Sequence, residues 1–112
     1  MKDTYLKKIL ETTRNSVSDK KKNFPLAKLE SELGYLESTR GFKDGLINSL
    51  EENSIAVIAE MKKASPSQGL IREKYEPEAI AKDYEKANAS CLSIVTNEPF
   101  FKGHLRHLSL VR

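Results

Sequence analysis

Tryptophan is absent from the 112 residues, cysteine occurs once, at Cys91, and the five glycines stand singly along the chain. Scattered glycines leave no glycine-rich loop of the dinucleotide or P-loop type, so cofactor binding by that route is excluded. A single cysteine cannot form an internal disulfide and has no second thiol to share a metal, which points to a reducing compartment and to Cys91 as a small apolar core residue. No apolar stretch approaches the roughly 20 residues of a bilayer span. The N-terminus alternates charge with Leu and Ile instead of offering an apolar signal region, so a cytoplasmic protein with no membrane partner is expected. An excess of one charge is also missing. The net charge is +3, and each half of the chain is nearly balanced. The one basic run, Lys20-Lys21-Lys22, has no aromatic residue interleaved; it reads as a solvated linker, and no nucleic-acid partner is expected.

What is present suits one small soluble domain, with 38% hydrophobic and 31% charged residues. Leu, Ile, Val and Phe make 28 residues, a quarter of the chain, above the roughly 20% below which disorder is expected. Counted with glycine in place of tyrosine, the apolar share is about 39%, below the roughly 45–50% of ordinary domains. The core should be thin, and a hydrophobic partner surface is expected outside these residues.

The first half carries helical spacing. Leu6, Ile9, Leu10, Thr13 and Val17 recur at three and four residues behind Asp3 and Thr4, either of which can cap a helix. A polar segment, 16–23, follows and Pro25 closes it. Leu26, Leu29, Leu33 and Leu36 make a second short stripe with Gly34 as its weak point, and Phe42, Leu46, Ile47 and Leu50 make a third. None is apolar enough to stand alone.

At Ser54 the pattern changes. Residues 55–59 form a continuous apolar run with three β-branched members, predicting a strand buried on both faces. Residues 64–69 read as a turn-rich loop in which Pro66 and Gly69 forbid regular structure. From Glu76-Pro77, the spacing of Ile80, Ala81, Tyr84 and Ala87 predicts a helix with Pro77 in its first turn. Residues 90–96 predict a second buried strand. Strand, helix and strand in this order make a βαβ unit with parallel strands. Asn97-Glu98-Pro99 reads as a polar turn, and Leu105, Leu108 and Val111 as the beginning of a last helix. Two such strands do not make a stable sheet, because each keeps an open edge and a naked face; the chain is expected to be incomplete.

In parallel α/β architectures ligands bind at the carboxyl ends of strands, which directs attention to Glu60 and Lys62. Strand periodicity places Ile58, Glu60 and Lys62 on one face, so a carboxylate and an ammonium project side by side. Such a pair can serve acid–base chemistry in a partly desolvated mouth, or be no more than a solvated ion pair at a strand end. Ser65-Pro66-Ser67 is ordinary turn chemistry or a rigid loop over a polar ligand. Of Phe100 and Phe101, one can stack on a ligand ring, or both can cap the core. His104 and His107 lack a Cys, Asp or Glu at useful spacing and read as surface histidines, so no metal is expected.

The string from Ile58 to Ser67, Ile-Ala-Glu-Met-Lys-Lys-Ala-Ser-Pro-Ser, followed by Gly69-Leu70-Ile71-Arg72, resembles the signature of the indole-3-glycerol phosphate synthase family. The resemblance continues through residues 80–85, 91–98, 100–103 and 110–112, covers about residues 55–112 strongly, and extends more loosely into the helical half through Arg40-Gly41-Phe42.

The resemblance implies a (β/α)8 barrel with extra N-terminal helices, of which residues 1–53 are the helical extension over the barrel mouth and 54–112 the first two βα units. It implies a carbon–carbon lyase of tryptophan biosynthesis. Such an enzyme closes an indole ring on 1-(2-carboxyphenylamino)-1-deoxyribulose 5-phosphate, losing carbon dioxide and water, with no metal or organic cofactor. By similarity, Lys62 holds the substrate carboxylate and serves as an acid in dehydration, and Glu60 is its acid–base partner. Ser65 and Ser93 line the substrate site, and Phe101 packs on the aromatic ring. Ser93 and Val95 then share the inward parity of Glu60 and Lys62. The family's principal general-acid lysine, a further catalytic glutamate and the phosphate site are expected beyond Arg112, so the missing remainder of the barrel is the chain's expected partner and 1–112 alone is expected to be inactive. The rival expectation is a non-catalytic helical module, derived from the truncated enzyme, that only binds a partner.

Overall fold

The computed structural model describes residues 4–112, which form two compact units meeting between Thr39 and Arg40. In the first unit, α1 spans Tyr5–Asn23 and α2 spans Leu26–Glu32, continued by a 3-10 turn over Leu33–Tyr35. Thr4 occupies the N-cap position of α1 without a side-chain cap bond; the alternative cap, Asp3, lies outside the described residues. The polar segment expected to be a linker is instead the last two turns of α1. Nothing between Ser16 and Lys22 breaks a helix, and Lys20, Lys21 and Lys22 in the final turn complement the negative end of its dipole. The helix stops where Pro25 follows Phe24, whose ring lies 4.6 Å from the Lys28 ammonium. At Gly34 the α2 spiral tightens to 3-10, as its low propensity for α-helix leads one to expect. Neither helix buries a residue.

The second unit begins with α3, Phe42–Asn53, entered through Gly41 at φ 77° and left through Ser54 at φ 60°. Both are left-handed, and only Gly41 adopts that conformation without steric cost. The elements β1 (Ile58–Met61), β2 (Ala64–Ser65), β3 (Gly69–Leu70), α4 (Pro77–Lys86), β4 (Cys91–Ile94), α5 (Glu98–Phe101) and α6 (Arg106–Val111) follow. β1 and β4 pair in parallel, Ile58 opposite Cys91 through Met61 opposite Ile94. Helix α4 makes the crossover between them, with Pro77 at its start, where a missing N–H costs nothing.

The core lies between this pair and α4. Met61, Ile80 and Ala81 are buried, with Tyr75, Tyr84, Leu92, Ile94 and Val111 packed around them. Burial of a Met or Ile side chain of this kind is worth about 1.5–3 kcal/mol. Helix α3 joins the same unit, the Cys91 thiol lying 3.3 Å from the Phe42 carbonyl oxygen. A side chain at Gly45 would stand 3.4 Å from the Ser90 carbonyl.

Four further expectations need correction. The first strand lies at 58–61 rather than 55–59, because a strand exists only where a ladder partner does. Val57 already marks the end of the pairing, its carbonyl accepting from both Ser90 and Cys91. Neither strand is buried on both faces: Ile58 is 49% exposed and β4 is half-buried throughout. Helix α4 packs against one face only; on the face bearing Ile58 and Glu60, α3 meets Cys91 at the amino end of β4, and the carboxyl end is left exposed. The 64–70 segment is not an irregular loop but a minimal antiparallel hairpin, Ala64 opposite Leu70 and Ser65 opposite Gly69, with Gly69 at φ 66°. Pro66 sits in its turn, where no ladder N–H is required. The polar turn expected at 97–99 likewise tightens into the one-turn helix α5. No helix among the described residues is long and apolar enough to cross a membrane.

Candidate active site at the carboxyl ends of two parallel strands

Parallel pairing in register sets Glu60 opposite Ser93, so both side chains leave the sheet on the same face. The Ser93 hydroxyl donates to Glu60 Oε2 at 3.3 Å, while Lys62 Nζ lies 3.3 Å from Glu60 Oε1. Each carboxylate oxygen therefore has its own partner. Lys62 stands one residue beyond the end of β1, yet keeps the strand parity that brings it beside Glu60. Its ammonium also lies 5.9 Å from the centroid of the Phe101 ring, which α5 supplies from beyond the end of β4.

The cluster thus gathers an acceptor, a cation, a hydroxyl and an aromatic face at the carboxyl ends of the two strands. Glu60 is 47% and Lys62 36% exposed. Ion pairs at that exposure are worth about 0–1 kcal/mol, so this one does little for stability and is reachable by a small molecule. An exposed ammonium can attract a carboxylate, and an exposed aromatic face can stack on a ring. The opposite face of the same strand end is closed: Met61 is 1% exposed. From α4, the Tyr84 hydroxyl donates to the Glu60 backbone carbonyl at 3.3 Å, fixing the end of β1 from behind.

Ser65 is the candidate whose hydroxyl faces elsewhere. It is buried in β2, accepts from the Gln68 N–H at 3.1 Å and lies 3.4 Å from the Ser67 hydroxyl. These are the bonds of the hairpin turn itself, although β2 packs beside α5 and so shares the neighbourhood of Phe101. Four candidates, Glu60, Lys62, Ser93 and Phe101, are in one cluster; Ser65 is at its margin with its hydroxyl committed to the turn.

The two histidines diverge. His104 is exposed, 3.6 Å from the Glu98 carboxylate. The surface reading of His107 is corrected: it is half-buried, its ring edge-on to Tyr75 at 5.4 Å, and its Nδ1 and the Tyr75 hydroxyl are buried without a hydrogen-bond partner among the described residues. Burial, with the neighbouring His104, Arg106 and Lys63 charges, lowers the His107 pKa below its ordinary 6.5. Burial, with Tyr84, raises that of Tyr75 above 10.0. Both shifts belong to the seam between α4 and α6, not to the Glu60 cluster.

Sequence reasoning overlooked two residues that shape this region. Tyr84 was legible only as an apolar helix position, and nothing in local spacing shows that its hydroxyl reaches β1. Asn97 was legible as a turn residue; the available signal was an Asx side chain ahead of Pro99, the usual chemistry of a capped turn.

The chain's sequence is matched over residues 6–112 by the family described as indole-3-glycerol phosphate synthase. Among relatives of that name, the protein of Rhodospirillum rubrum is 40% identical over 107 residues, 96% of this chain and 41% of the relative. The protein of Rhodopirellula baltica is 41% identical over 109 residues, 97% of this chain and 41% of the relative. The protein of Bacillus pumilus is 52% identical over 73 residues, 65% of this chain and 28% of the relative. The chain spans at most about two fifths of the length of these relatives.

Proposed function

Because the chain belongs to the indole-3-glycerol phosphate synthase family, we propose that it contributes the first two βα units and part of the catalytic machinery to a complete (β/α)8 synthase of tryptophan biosynthesis. That enzyme acts as a carboxy-lyase on 1-(2-carboxyphenylamino)-1-deoxyribulose 5-phosphate, closing the indole ring with loss of carbon dioxide and water. The observation that carries the reading is the convergence of Glu60, Lys62, Ser93 and Phe101 on one open face at the strand ends.

In this reading Lys62 holds the anthranilate carboxylate close to the carbon that the ring must attack, trading its exposed bond to Glu60 for one to the substrate. Glu60, released from Lys62 but still held by Ser93, is then free to exchange protons during loss of the hydroxyl. Phe101 lies on the aromatic ring, and Ser65 and Ser93 border the substrate. The remaining βα units would supply the opposite wall. The reaction belongs in the cytoplasm, where the lone thiol of Cys91 stays reduced.

The test is steady-state turnover of the complete synthase carrying this segment. Lys62→Ala should lower kcat/KM by about a hundredfold or more, the loss expected when a group that orients the reacting atoms is removed, and Lys63→Ala by less than about threefold. Equal losses would mean that Lys62 has no special place, and the proposed role would fall. Residues 1–112 alone should show no turnover, since a pair of strands with an open face encloses no substrate; measurable product from them would overturn the division of labour proposed here.

A further inference from the structure

Phe101 reaches Lys62 only because the chain between β4 and α6 doubles back tightly. The Asn97 side chain accepts from the Phe100 N–H at 3.0 Å, and the Asn97 carbonyl accepts from the Gly103 N–H at 2.8 Å. One residue therefore ties both ends of the loop that carries Phe101. Lys102 turns the chain through a left-handed φ of 52°, and Gly103, which is buried, then returns against the end of β4. There is no room for a side chain at that point. A Cβ on Gly103 would overlap the Val95 carbonyl oxygen and stand 2.8 Å from both the Thr96 carbonyl carbon and Cα. These are backbone atoms, so the overlap can be relieved only by moving the loop.

We propose that Asn97 and Gly103 are positioning residues for the synthase reaction: they close the 97–103 loop into a clasp that holds the Phe101 ring against Lys62 and thereby aligns the aromatic ring of the substrate. This rests on the reading of Phe101 as a substrate-binding residue. The clasp acts on the ground-state fit of the substrate, so its loss should appear mainly in KM. Asp at position 97 preserves the acceptor for the Phe100 N–H, whereas Ala removes it.

The experiment measures kcat and KM in the complete synthase that carries this segment, for Phe101→Leu, Asn97→Ala, Asn97→Asp, the Asn97→Ala/Phe101→Leu double variant and Gly103→Ala. Asn97→Ala should raise KM about fivefold, with kcat changed less, the size expected from loss of one cap. Asn97→Asp should stay within about twofold of the parent. In the Phe101→Leu background, Asn97→Ala should add almost nothing, because the clasp works through the ring that is no longer there. Gly103→Ala should raise KM by more than Asn97→Ala does; if that variant fails to fold, the Asn97 series decides. An Asn97→Ala effect that is the same with and without Phe101 would overturn the clasp while leaving the Phe101 role intact. Phe101→Leu with parental KM would instead overturn the Phe101 reading, and the clasp with it. Parental kinetics in a folded Gly103→Ala protein would also count against the clasp.

Discussion

Residues 4–39 and residues 40–112 owe their structure to different physics. The first unit consists of α1, α2 and a 3-10 turn in which no residue is buried, and Leu6, Leu10 and Val17 remain exposed along their stripe. Its helices follow from local rules alone: absence of breakers, a basic last turn, Pro25 as a stop. The second unit is held by a parallel ladder between residues some thirty positions apart and by a core of Met61, Ile80 and Ala81. The contrast shows why the two halves respond differently to the same kind of change. A helix without a core answers to backbone propensity, and a ladder with a core answers to volume and pairing.

The sharpest way to break the second unit without touching the first is Met61→Ala. Truncating its most buried side chain should cost about 2–5 kcal/mol, seen as lost amide hydrogen-exchange protection across β1, β4 and α4 while α1 exchanges as before. The reciprocal change is Ser16→Pro, in the part of α1 that looks like a linker in the sequence. A proline within the helix should cost about 3 kcal/mol locally and reduce helical circular dichroism, leaving β1 and β4 protection unchanged. If 16–23 were a linker, Ser16→Pro would be silent.

Two smaller effects sharpen the picture within the second unit. Tyr84→Phe keeps the core ring and deletes only its bond to the Glu60 carbonyl. It should lower the unfolding free energy by about 0.5–1.5 kcal/mol in chemical denaturation. The pH dependence should follow His107. Its folded pKa lies below the ordinary 6.5, so the unfolded chain binds a proton first as pH falls. Stability contributed by the neutral ring is full above pH 6.5 and declines as the pH drops through the folded value. The melting temperature of the second unit should fall across that window, and His107→Gln should flatten the slope; an unchanged slope would assign the acid sensitivity to other groups.

Much of the second unit was legible from residues alone. Helices α3, α4 and α6 were announced by apolar spacing, Pro77 marked the start of α4, and the βαβ order implied the parallel pair. Parity also placed Glu60 and Lys62 on one face. What escaped was everything set by a neighbour. The strand at 55–59 slid to 58–61 because β4 begins only at Cys91. Residues 64–70, rich in turn formers, still close a hairpin around Pro66. The polar end of α1 has no apolar stripe by which to be seen, although nothing in it opposes a helix. Ser65 matches the family string, yet its hydroxyl is committed to the hairpin turn.

By itself, then, the order of residues determined the helices that carry an apolar stripe, the βαβ sequence, the parity of the acid and the amine, and the family. These depend on spacing within a few positions, where sterics and hydrogen bonding act on the chain locally. The tertiary structure alone decided the register of Glu60 against Ser93, the anchoring of β1 by Tyr84, the approach of Phe101 to Lys62 and the close return of Gly103 on β4. Each joins atoms from separate elements, and their distances are set by the packing of β1, α4 and β4 on one another, a property that no single segment carries.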